Sequence, residues 1–140
     1  MDWKECGLKR LIKKASIDED LIESLFLSSR DKFETAKMIE LSKVTASSKL
    51  SLYYESLREI LEALALKYGY KIYNHDCFSA FLFEVLKEED MAVKFDRFRK
   101  LRNKINYYGK RIEIQECEFF LSDLISLREK VLNKYFGGYL

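Results

Sequence analysis

The sequence holds no proline, five glycines and a single histidine in 140 residues. A multi-stranded sheet with tight turns needs more of the first two than this, whereas long helices joined by short links need few of either. No apolar run approaches the ~18 residues of a membrane span. The opening "MDWKEC" is charged and lacks the apolar core of a secretory leader, so a cytoplasmic protein is expected. The three cysteines, Cys6, Cys77 and Cys117, are scattered and odd in number. They match neither a zinc spacing nor a disulfide framework and are expected to be reduced thiols, partly in the core. There is no glycine-rich phosphate loop, no paired metal-ligand motif and no GxSxG nucleophile turn, so no metal and no cofactor is expected.

Hydrophobic residues make up 48% of the chain and charged residues 34%, the balance of a globular domain, and the length allows one domain with a real core. The net charge of +2 says little about partners. Its distribution says more. Between Lys94 and Arg111 stand eight basic residues against the single acid Asp96, while residues 16–24 and 84–90 are acidic. One face could therefore attract an anion.

Apolar periodicity predicts the elements. Residues 3–15 suggest a short basic helix or arm, weakened by Gly7. Ser16 with Glu19 has the spacing of a capping box ahead of a long helix over about 17–44, its inner face carrying Leu21, Ile22, Leu25, Ser29, Phe33 and Ala36. The clearest stripe is Leu50, Tyr53, Tyr54, Leu57, Ile60, Leu61, Leu64 and Tyr68, stopped at Gly69. Asn74 is a candidate N-cap for a shorter helix through Phe78, Phe81, Leu82, Val85 and Leu86. Met91, Phe95, Phe98, Leu101, Ile105 and Tyr108 mark the next helix, ended by Gly109. A last helix runs from about Gln115 to Phe136, and "GGYL" is expected to fray. The fold class is thus all-α: an up-and-down bundle of four to five antiparallel helices over residues 16–140, preceded by the arm at 1–15.

The segments "SLYYESLREILEALALKYGYKIYNHDCFSAFL" and "FDRFRKLRNKINYYGKRI", in this order, resemble the HEPN-domain family of the small archaeal and bacterial kind. The likeness extends over roughly residues 17–136. It implies a helical bundle, commonly a homodimer, that acts either as a metal-independent RNase, often a toxin paired with a minimal nucleotidyltransferase, or as a binding or assembly module without catalysis. The family's catalytic motif is an arginine, often followed by a polar residue, with a histidine after four to six further positions. Arg102 and Asn103 match its beginning, but Tyr107, Tyr108 and Gly109 occupy the places open to the histidine.

That departure bears on chemistry. Metal-independent RNA cleavage needs a proton acceptor for the 2′-hydroxyl and positive charge against the phosphate. Arg102 can supply the charge through its planar fork. Tyrosine titrates near ~10 and is a poor base at neutral pH, though it can donate a hydrogen bond and stack on a nucleobase. Helical spacing sets Arg99, Arg102 and Asn106 beside one apolar stripe, with Tyr107 pointing away. The candidate binding residues are therefore Arg99, Arg102, Asn103 and Asn106. The candidate catalytic residues are Arg102 with Tyr107 or His75, the one histidine, as proton carrier. The bland alternative is that Arg102 and Asn103 only anchor the bundle near a helix C-terminus, and that His75 is held by local hydrogen bonds beside Asn74.

Overall fold

The structure, a computed structural model, describes residues 1–137. The expected fraying of "GGYL" lies outside them apart from Gly137. Six α-helices and one two-stranded ribbon follow in chain order: α1 (Trp3–Leu8), β1 (Ile12–Lys14), α2 (Glu19–Met38), α3 (Ala46–Lys67), β2 (Tyr70–Ile72), α4 (Asp76–Ala80), α5 (Glu89–Tyr108) and α6 (Ile114–Tyr135). A π-helical turn, Phe81–Val85, continues α4. The molecule is an all-α bundle built on the four long helices. No helix among the described residues is long and apolar enough to cross a membrane.

The bundle forms around α3, which packs against α2, α6 and α5. The stripe read from sequence is its core face as far as Leu64: Leu50, Tyr53, Tyr54, Leu57, Ile60, Leu61 and Leu64 are all buried, whereas Tyr68, at the C-cap, is exposed. Ala63, Ala65 and Leu66 are buried as well, because α3 has neighbours on more than one side. Each such leucine contributes roughly 1.5–3 kcal/mol by leaving water, and truncating fully buried Leu57 or Leu64 to alanine should cost about 2–5 kcal/mol. α6 adds Leu121, Leu124, Leu127 and Val131, and α5 adds Phe95 and Phe98.

Three local readings are corrected. Residues 3–15 are not one helix: α1 stops at Leu8, and residues 12–14 pair antiparallel with β2 in the register Ile12↔Ile72, Lys13↔Lys71, Lys14↔Tyr70. Gly69 makes the ribbon possible. It ends α3 at φ +85°, and a Cβ there would sit 3.4 Å from the Ala15 carbonyl oxygen, to whose residue Gly69 O is bonded through the Ala15 amide (2.8 Å). The N-cap of α2 is Asp18, not Ser16; its carboxylate accepts from the Leu21 amide at 3.0 Å. A carboxylate there also suits the positive end of the helix dipole.

The third correction concerns the cysteines. Cys6 and Cys77 form a disulfide, with Cα atoms 6.1 Å apart across 71 positions of sequence, and only Cys117 is a free, buried thiol.

One buried charge was not anticipated. Arg128, on the inner face of α6, is 4% exposed. Its guanidinium lies 4.3 Å from the centre of the Phe33 ring, and one terminal nitrogen donates to Ser29 Oγ at 3.2 Å. Ser29 in turn bonds to Ser56, tying α2, α3 and α6 through one polar knot. Burial lowers the Arg128 pKa, although the guanidinium stays charged at neutral pH.

Candidate functional site

α5 and the start of α4 face each other across a cavity of about 280 Å³, lined by Tyr73, Asn74, His75, Asp76, Arg99, Arg102, Asn103 and Tyr107. Five residues nominated from the sequence thus share one space, although His75 is far from the others along the chain. Arg99 and Arg102 follow the buried Phe95 by one and two turns on its side of α5, and Asn103 follows Arg99 by one turn, so the packing of Phe95 and Phe98 brings all three to the cavity. Asn74 shapes the facing wall: its side-chain oxygen accepts from the Asp76 amide at 2.8 Å, turning the chain into α4. The N-cap expected at Asn74 falls instead at His75, which makes no side-chain cap bond, and Asn74 acts one residue earlier by turning the chain.

Two nominated residues behave differently from their helical-wheel positions. Asn106 is exposed and does not line the cavity. Tyr107, expected to point away, does line it. Side chains on a helix lean toward its N-terminus, and a tyrosine is long enough to reach back over the preceding turn, whereas asparagine is not.

Arg102 is held from two directions. Its guanidinium carbon lies 5.4 Å from the centre of the Tyr54 ring, and a terminal nitrogen meets Glu55 Oε1 at 3.3 Å. Its Nε is buried without a hydrogen-bond partner. Glu55 also receives Arg58 at 2.8 Å, so this carboxylate is divided between two cations. Arg99 pairs with Asp96 at 2.8 Å and faces Asp76 at 3.5 Å. Burial would raise the Asp96 carboxyl, but hydrogen bonds from Arg99 and Lys100 outweigh it and hold it below its usual value. The basic segment is thus less bare than its sequence suggests, because the fold brings Glu55 and Asp76 to it. Arg97, Lys104, Lys110 and Arg111 have no carboxylate within ion-pair distance among the described residues.

His75 is neutral. Burial, followed by the charge of Arg58, with further contributions from Arg102 and Arg99, lowers its pKa to about 4. Its Nδ1 is 3.0 Å from the Tyr54 hydroxyl. Tyr54 is 1% exposed, and burial pushes its phenol upward, so the O–H is intact and needs an acceptor. We assign that acceptor as Nδ1, which leaves the ring proton on Nε2. His75 then offers a hydrogen-bond donor rather than the lone pair a base requires at that nitrogen.

Sequence reading assigned Tyr54 to the core. It is buried there, yet its polar end belongs to this site; the available signal was that a buried phenol must find a partner. Glu55 and Asp76 were also missed, because nothing in their neighbourhood marks which cation they will meet. No group of His, Cys, Asp and Glu among the described residues could hold a metal ion. No family model matches this chain, and no curated protein matches it either.

Proposed function

We propose that this chain is a HEPN-like bundle that binds RNA or nucleotide phosphate and cleaves RNA weakly or not at all. The observation that carries the reading is the convergence of Arg99, Arg102, Asn103, Tyr107 and His75 on one cavity. Arg102 presents an oriented fork, steadied by Tyr54 and Glu55, that can grip phosphate oxygens. Asn103 and the Nε2–H of His75 add neutral donors. Tyr73 and Tyr107, 61% and 74% exposed, offer ring faces at the rim for a nucleobase. Proton transfer is the weak part of the site, since Tyr107 is a poor base and Tyr54 occupies His75 Nδ1.

The family likeness adds a homodimer and pairing with a minimal nucleotidyltransferase to this reading, and the charged opening segment adds a cytoplasmic location. A second reading, a metal-independent RNase using Arg102 with His75, draws on the presence of both in one cavity. One experiment separates the two. Mixed-sequence RNA is incubated in EDTA with wild type and Arg102→Ala, and both proteins are then titrated with the same RNA across salt concentrations. Binding that depends on Arg102 without cleavage supports the proposal; cleavage lost in the variant supports the RNase; equal affinity and salt slope for both proteins refute the proposal.

A further inference from the structure

The arm of residues 1–15 docks chiefly on the part of the chain that forms the wall of the candidate site. Cys6 is bonded to Cys77, the second residue of α4 and two positions from His75. The Trp3 amide donates to Glu84 Oε2 at 2.6 Å, and the Trp3 ring meets Phe81 at 5.7 Å between centroids. Glu84 and Phe81 both belong to the π-helical turn that continues α4. β1 completes the attachment by pairing with β2, three residues before His75.

We infer that the Cys6–Cys77 disulfide is a redox-sensitive latch on this site: closed, it fixes the first turn of α4, and with it His75 and Asp76, against Arg99 and Arg102; open, it frees that turn and weakens anion binding. The inference rests on the cavity being an anion site. Its physical basis is that the bond ties down a weakly held element. α1 has six residues, too few to persist alone. The core helices α2, α3, α5 and α6 contain neither bonded cysteine, so releasing the arm is a local opening. Asp76 is the shared component, since it lines the cavity and lies 3.5 Å from Arg99 while being the immediate neighbour of Cys77.

Opening the latch takes a dithiol. One S–S bond breaks, two electrons and two protons reach the sulfurs, Cys6 and Cys77 become thiols, and the reductant becomes a disulfide. Both cysteines are fully buried, so the arm lifts before exchange. In a reducing compartment such a bond is a sensor more often than a permanent staple.

The test uses the full chain, oxidised, treated with dithiothreitol, and as Cys6→Ser. Far-UV circular dichroism reads the helices. Imidazole NMR reads His75, the one histidine, without any ligand. Titration with a short uridine oligoribonucleotide reads the site. We expect unchanged helix content, shifted His75 resonances and binding weakened by at least about fivefold in both opened forms. Identical His75 spectra in the oxidised and opened forms overturn the latch, as does collapse of the helical signal, which would make the bond a global staple. Shifted His75 resonances with unchanged RNA affinity overturn the latch alone, whereas no RNA binding by any form removes the phosphate-binding reading and the latch that rests on it.

Discussion

The Tyr54 hydroxyl lies 3.0 Å from His75 Nδ1, joining α3 to the start of α4 across 21 positions of sequence. Replacing Tyr54 with phenylalanine keeps the ring beneath Arg102 and removes only the donor. The variant should lose about 1 kcal/mol of stability, and its ¹⁵N imidazole spectrum should show both neutral tautomers where wild type shows the Nε2–H form. An unchanged tautomer would mean that another group sets the ring.

Arg102 is matched to its surroundings by shape as well as charge. Arg102→Ala should weaken RNA binding by about tenfold or more, the range for losing a charge-assisted hydrogen-bonded contact. Arg102→Lys should recover little of it, because an ammonium cannot at once cover the Tyr54 ring, meet Glu55 and offer two parallel donors. Fluorescence anisotropy at fixed salt would rank the three proteins, and full recovery by lysine would argue for a diffuse charge effect.

Stability should fall in mild acid. His75 titrates at about 4 in the folded protein against 6.5 when unperturbed, so between these values the unfolded chain binds the extra proton. The contribution is complete above about pH 6.5 and is lost as pH falls toward 4. Discounted for the partial exposure of the ring, it amounts to roughly 1–2 kcal/mol. Glu88 and Asp96, whose pKa values are lowered, act in the same direction at still lower pH. Urea midpoints across this range should flatten between pH 4.5 and 7 in His75→Gln relative to wild type (about the window set by the two pKa values).

Arg128 provides a contrast between charge and packing. Arg128→Ala removes the stem that fills the space between α2 and α6 and leaves a void, so a loss of about 2–4 kcal/mol is expected. Arg128→Met retains most of the volume without burying a cation that has no carboxylate partner, and should come within about 1 kcal/mol of wild type or exceed it. Thermal unfolding of both variants would decide, and a methionine variant as unstable as the alanine one would show that the Ser29 bond and the Phe33 contact matter more than packing.

The bundle was legible because α3, α5 and α6 carry their apolar residues at steps of three and four, and that period survives any tertiary detail. β1 and β2 were not legible: three residues each give no alternation to read, and their pairing depends on Gly69 bending the chain back to Ala15. The disulfide was hidden by distance, since nothing local relates Cys6 to Cys77. Arg128 could have been found. It stands four residues after Leu124 and three before Val131, both apolar and buried, and the period places it between them. At the site, basic residues clustered on one helix were visible with Asp96 among them, whereas Glu55 and Asp76 came to them from α3 and α4. The capping box failed because Asp18, two residues beyond Ser16, is the residue whose carboxylate reaches the first free amides.

Trp3 is the single tryptophan, and it sits on the arm, 5.2 Å from the Tyr70 ring centre and edge-on to it. Its emission therefore follows the docking of residues 1–15 and is nearly blind to the packing of the four long helices. Indole fluorescence and helical dichroism, recorded on one sample through a denaturant series, watch two different parts of the molecule. Where their midpoints separate, the arm has left while the bundle remains, and a single two-state free energy no longer describes the protein.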